Sequence, residues 1–414
     1  MPILGPSPTL FDAHQMKKYL TFLICLLSSL LADFTWGQST TSVKRTYSGT
    51  INGFAYKAFG GLLSVEVNPN KSFTGKLRFP TRTVAINGAF DTAQTPQAVI
   101  SIPANSAEFT TAATSLRLTL TEGIAISASW ILPQGLVSHQ RVTIFTLLPL
   151  YVTKPGPAKN PDGRYVMLLT PEKSKEDVMR GSGFGSLVIA KNYSIIMIGT
   201  LPDGTGFTSS SFVTTDEKIP ALITTNLARN ILLGTVNSEE SFFWFRSSAG
   251  LINDPFTLNL PERQINVEIS RYTPPAKGSF LLPDILDTDG NAYISFSAAG
   301  RDEEDSTTFI ESALRLTRSH RFVFPTPNPY RQRLDFYVPT GFFTGSFSIQ
   351  DPHATIPRQF VQRTVSFRGM LFPSDDPNVA RGEGFFLVPP PPNTVNVSLT
   401  SGLVSFSAKF PDLD

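Results

Sequence analysis

The carboxylates best placed for chemistry in this chain are Asp284, Asp287 and Asp289, which run up to Gly290-Asn291. Calcium takes several oxygen ligands from one tight loop, and Asp-Thr-Asp-Gly-Asn offers some of them. The full EF-hand pattern is broken, because Ile285 stands at its first ligand position and Phe296 at its bidentate one. Asp and Gly in this order also turn a chain into a strand. The turn is therefore the expectation, with calcium at Asp287 and Asp289 the open alternative. The four histidines are His14, His139, His320 and His353, and no two stand at metal-ligand spacing. Gly181-Ser182-Gly183-Phe184-Gly185 has the composition of a phosphate cradle but leads into a strand, whereas a phosphate loop must open a helix. No Gly-x-Ser-x-Gly nucleophile motif occurs. Arg301 to Asp305 is a charge run, read as a solvated loop. No catalytic residue, metal ligand or cofactor is assigned from these residues.

The elements that would position such groups are strands. Leu63, Val65 and Val67 alternate with Ser64 and Glu66, Asn68-Pro69-Asn70-Lys71 turns the chain, and Phe73 to Phe79 returns with the same period of two. A second turn at Pro80-Thr81 leads to Thr83 to Gly88. The same order of strands and turns recurs from Gly185 to Ser209 and again from Leu334 to Gly369. Trp130 and Trp244 fall near matching late positions in the first two copies. Each is expected to plug its module, the alternative being a ligand platform.

With 414 residues the chain is too long for one ordinary core. Its 33 Pro, 29 Gly and 33 Phe favour strands and turns over helices. A net charge of +2 without a long basic run makes nucleic acid an unsuitable partner. After Met16, Lys17-Lys18 and the apolar stretch Tyr19 to Leu31 precede Thr35-Trp36-Gly37, the pattern of a secretory signal peptide cut before Gln38. Thirteen residues fall short of the roughly 20 that a spanning helix needs, so no transmembrane anchor is expected. Residues 1–15 read as an over-extended start. The single cysteine, Cys25, lies inside the apolar stretch, which leaves the mature chain without a thiol and its fold without disulfides.

The expected organisation is a signal peptide over 1–37, a β-module over 38–152, a Pro/Gly-rich linker over 153–163, a second module over 164–262 and a third over 263–414. Gln264 to Ile269 would open the third. Pro171 to Met179 is the one stretch read as a short helix. The fold class is all-β: tandem antiparallel meanders forming barrels or strongly curved sheets. Arg164-Tyr165 through Ile189, Gly199 to Thr205, Arg271-Tyr272-Thr273-Pro274-Pro275, Asp287 to Ala292 and Phe343-Thr344-Gly345-Ser346-Phe347 together resemble β-repeat modules of uncharacterised secreted and cell-surface proteins of environmental bacteria. The resemblance implies fold and export, and carries no catalytic residues.

The functional expectation is an exported, non-enzymatic scaffold or adhesion module, secreted or held at the cell surface. Extracellular polysaccharide or other surface proteins are its candidate partners. One alternative is a glycan-binding module using aromatics among Phe242 to Phe245 or the loop around His353. A carboxylate-based hydrolase is another. A single outer-membrane barrel fits less well, because it needs strands of about ten residues, and those read here are shorter and interrupted by proline-rich links.

Overall fold

The computed structural model describes residues 44–51, 60–103, 114–122, 124–131, 144–150, 162–172, 180–225, 230–236, 242–246, 260–282, 285–297, 308–352, 360–373, 380–388 and 400–408. Every helix or strand among them is a strand. The expected linker over 153–163 and the expected helix over 171–179 lie almost wholly outside the described residues, and the expected signal peptide over 1–37 lies wholly outside them.

The alternating stretch after Gly61 forms β2 (Gly61–Val67), β3 (Ser72–Arg78) and β4 (Thr83–Ala89). These join β1 (Arg45–Ile51), β5 (Gln97–Ile102), β6 (Thr114–Thr121), β7 (Ala125–Ile131) and β8 (Ile144–Pro149) in one antiparallel sheet ordered β4-β3-β2-β1-β8-β7-β6-β5. The first strand is thus held between the second and the eighth. The sheet curls until β4 nears β5, giving an almost closed up-and-down barrel with one seam.

The second sheet repeats the plan with β9 (Gly163–Pro171), β10 (Gly183–Ile189), β11 (Ser194–Thr200), β12 (Gly206–Phe212), β13 (Ile219–Thr225), β14 (Asn230–Val236), β15 (Phe242–Arg246) and β16 (Leu260–Arg271). Gln264 to Ile269 therefore does not open the third sheet. It lies in β16, bonded to β15 and β9. Across this seam Ser209 Oγ donates to the Leu222 carbonyl at 2.9 Å and Ser211 Oγ to that of Pro220, so two serine hydroxyls stand where a backbone ladder would be.

The third sheet holds β17 (Ala292–Ser297), β18 (Thr308–Leu316), β19 (Phe322–Val323), β20 (Arg333–Tyr337), β21 (Phe342–Pro352), β22 (Phe360–Phe372), β23 (Arg381–Val388) and β24 (Thr400–Ala408), in the order β19-β18-β17-β24-β23-β22-β21-β20. Its seam follows the third strand, whereas the other two follow the fourth. This corrects the match read between Leu63 to Gly88 and Leu334 to Gly369, whose last segments begin at Thr83 and Thr364. Thr83 begins an edge strand at a seam, while Thr364 lies in β22, bonded on both sides. The turns misled because one turn serves many hairpins. At Lys71, Tyr193, Glu217 and His320 a left-handed residue, with φ between 62° and 64°, donates its N–H to the carbonyl three residues back. Pairing between β21 and β22 runs out to Pro352 and Phe360, with 353–359 outside the described residues.

Strands buried on one face alternate, as β2 does with Leu63, Val65 and Val67 inside. In the second barrel β9, β13 and β14 do not alternate. In β9, Met167 and Leu169 enter their own barrel, while Val166 and Leu168 join the core of the third. In β13, Ile219, Ala221 and Ile223 point inward, and Leu222 packs outward with Ile231, Leu233 and Leu62 of the first barrel. A continuous apolar run is the sequence form of a strand covered on both sides.

Aromatic rings fill the third barrel. Phe296 lies 4.3 Å from Phe347 and 5.1 Å from Phe367, centroid to centroid, and Phe406 lies 5.1 Å from Phe343. Space for them comes from glycines directly across the ladder. Gly382 pairs with Phe406 and Gly402 with Phe386. A Cβ at Gly382 would stand 1.8 Å from the Phe406 ring, and one at Gly402 2.1 Å from that of Phe386. Phe73 with Gly88 and Phe207 with Gly199 repeat the pairing in the other two barrels.

After β16 the chain crosses to the third barrel through Tyr272. Its N–H donates to the Arg164 carbonyl at 2.9 Å and its hydroxyl to that of Val338. Leu281, Leu282 and Ile285 then enter the third core. Burial, against a smaller opposing pull from Arg164, pushes the Tyr272 phenol from 10.0 up to about 12.

Gly382→Ala is expected to cost about 1–3 kcal/mol by overpacking, read as a lower urea midpoint with an unchanged slope. Tyr272 is protonated in both states below pH 10, and above it the unfolded chain ionises first. Its contribution is therefore complete below pH 10 and lost by about pH 12. Tyr272→Phe should flatten the fall of the melting temperature over that interval.

Candidate functional site

Trp244 is fully buried in β15, the seventh strand of its sheet, as Trp130 is buried in β7, the seventh of the first. Trp244 plugs the barrel rather than offering a platform. Phe242 is buried beside it, and Phe243 and Phe245 are half-buried, so none of the four aromatics proposed for glycan stands free. His353 and His139 lie outside the described residues, and His320 Nε2 is bonded at 3.0 Å to the Ser279 carbonyl.

Sequence reading missed what Trp244 touches. Its Nε1 donates at 3.0 Å to Asn230 Oδ1, and Asn230 Nδ2 donates at 3.1 Å to Asp203 Oδ2. The same oxygen takes Arg246 Nε at 3.1 Å, and the Thr205 N–H reaches Asp203 Oδ1 at 2.9 Å. The side chains of Asp203 and Arg246 are 1% and 8% exposed. A buried pair of charges persists only when other hydrogen bonds satisfy both groups, and this carboxylate accepts three. The network ties the β11–β12 turn to the ends of β14 and β15.

A second buried carboxylate joins the second and third barrels. Glu383 Oε1 accepts from the Ser182 hydroxyl, and its Oε2 takes Arg381 Nε at 2.6 Å. Arg381 Nη2 spans both oxygens of Glu268 at 3.1 and 3.2 Å. Burial opposes the Arg381 charge, but the bonds and charges of Glu383 and Glu268 outweigh it and raise its pKa. Nearby, Ser401 Oγ accepts the Gly181 N–H at 3.3 Å and donates to the Pro202 carbonyl at 2.9 Å. The glycine-rich stretch is thus a docking edge. Gly181 has no room for a side chain, because a Cβ there would lie 2.3 Å from that of Phe385.

The acidic turn before β17 is occupied by cations of the chain itself. Asp287 meets Arg315 Nη2 and Arg318 Nε, each at 3.3 Å, and Asp289 meets Arg315 Nη1 at 3.3 Å. Gly290 takes the left-handed turn, with φ 67°. Asn291 spans the hairpin, donating to Leu286 O at 2.7 Å and accepting from Leu316 N at 2.7 Å. Asp284 lies outside the described residues. Among the described residues no three His, Cys, Asp or Glu side chains form a metal-sized cluster.

The candidate binding site is an open groove of about 570 Å³ between the first two barrels. The end of β3 and the turn into β4 overhang it with Arg78 and Arg82. Its opposite wall is the outer surface of β11, β12 and β13. Arg78 Nη2 donates at 2.9 Å to the Leu222 carbonyl, which helps hold the two barrels together, and burial pulls its pKa below the usual value. Arg82 Nη2 donates to the Pro103 carbonyl at 2.8 Å, and its guanidinium lies 5.5 Å from the centre of the Phe79 ring.

The fold defines an all-β protein of three tandem meander barrels. No family model matches the chain, and no curated protein matches it.

Asp203→Asn leaves the buried Arg246 guanidinium without its counter-charge and is expected to cost about 3–5 kcal/mol, measured by chemical denaturation. Trp244→Phe keeps the apolar fill but strands Asn230 Oδ1. It should cost less, about 1–3 kcal/mol.

Proposed function

We propose that the chain is an exported, non-enzymatic β-repeat protein that serves as a scaffold or adhesion module at the cell surface or in the surrounding matrix. The observation that carries this reading is the way the barrels are joined. β9 and β13 of the middle barrel are covered on both faces, so three filled barrels are built to bear on one another without disulfides. The leader pattern around Tyr19 to Leu31 supports export. The resemblance to secreted and cell-surface β-repeat modules supports the same setting. A glycan-binding role is the second reading. It moves from the aromatics of β15, which are taken up in packing, to the groove beside Arg78.

Protease shaving and fractionation of producing cells should find the chain, cut near Gln38, at the surface or in the medium. Deleting the gene should lower retention of the cells on a polysaccharide-coated surface severalfold, with recovery when the full chain is restored. An uncut chain confined to the cytoplasm would overturn the reading.

A further inference from the structure

We propose that the groove between the first two barrels binds an acidic glycan, a sugar chain carrying carboxylate or sulfate groups. The proposal gives the adhesion reading a ligand class and rests on it. Charge is the first argument. Arg78 and Arg82 line the groove, and no Asp or Glu does. Among the described residues Arg78 has no carboxylate partner, and its hydrogen bond to Leu222 O engages one of its five N–H donors. A half-buried guanidinium without a counter-ion attracts an anion, and its planar fork suits carboxylate and sulfate oxygens.

The opposite wall supplies the second argument. Thr208 and Ser210 expose hydroxyls on β12, beside Ile196 on β11, which is 55% exposed. The same outer surface continues past the groove through Val188 and Ile198, also exposed and apolar. Hydroxyls interleaved with aliphatic side chains match a pyranose ring, which presents hydroxyls at its rim and C–H groups on its faces. The groove is open, so it suits a stretch of extended chain rather than an enclosed small molecule. Two arginines are too few for a nucleic acid, whose backbone is held by a longer row of cations.

The test measures binding of the full chain by calorimetry at low and high salt, using oligogalacturonate for the carboxylate, dextran sulfate for the sulfate and dextran as the neutral control. One acidic probe should bind, more weakly at high salt, and dextran should not. Ser210→Glu sets a negative charge on an exposed strand position. It should weaken binding by at least about tenfold with the melting temperature unchanged. Arg78→Gln should do the same, and because Arg78 also bonds Leu222, Ser210→Glu is the variant that decides if Arg78→Gln fails to fold. The proposal is overturned if neither acidic probe binds at low salt, or if binding survives Ser210→Glu undiminished. Self-association that Ser210→Glu abolishes, without glycan binding, would assign the groove to a second copy instead. Because binding is read on the isolated chain, its failure is distinct from a failure of the surface assignment.

Discussion

Burial of β9 on both faces is the constraint around which the described chain is arranged. A strand that turns Met167 and Leu169 into one barrel and Val166 and Leu168 into the next belongs to two cores at once. Unfolding either barrel would bare one of its faces to water, at roughly 25 cal/mol for each Å² of apolar surface. β13 does the same toward the first barrel through Leu222. The middle barrel therefore acts as the common partner of the other two.

Polar contacts at the junctions add direction to this apolar adhesion. Dispersion and hydrophobic burial allow two surfaces to slide, whereas a carboxylate such as Glu383, held by Ser182 and Arg381, accepts only a narrow range of positions. Ser401, which accepts from Gly181 and donates to Pro202, sets the same relation from the other side. At the first junction Arg78 reaches the Leu222 carbonyl. That arginine is both a fastening between barrels and a wall of the groove, so any ligand held there would touch both barrels.

Much of the fold was legible because half-buried strands write their geometry as alternation, and β2, β5 and β7 do so clearly. The station of each strand was not. A left-handed turn like that at Lys71 recurs at Tyr193, Glu217 and His320, so matching turns could not show that the third sheet opens one strand earlier. The role of β16 was hidden for a similar reason, since Gln264 to Ile269 alternates whichever sheet it joins. Among the site residues, Asp287 and Asp289 were visible as an acidic turn, but their arginines lie 26 to 31 residues away. The groove was invisible because Arg78 and Ser210 come from different barrels. Only the closure of both sheets brings them near.

The pairing of rings with glycines in the third barrel also bears on how such an array comes off the ribosome. Tandem copies of one β-plan risk trading segments with their neighbours while they are still incomplete. A strand from the middle unit that invaded the last would have to place a ring opposite each of Gly382 and Gly402, which are spaced for those of Phe406 and Phe386. Mispairing between adjacent repeats is thereby penalised at the stage when the chain is most exposed to it.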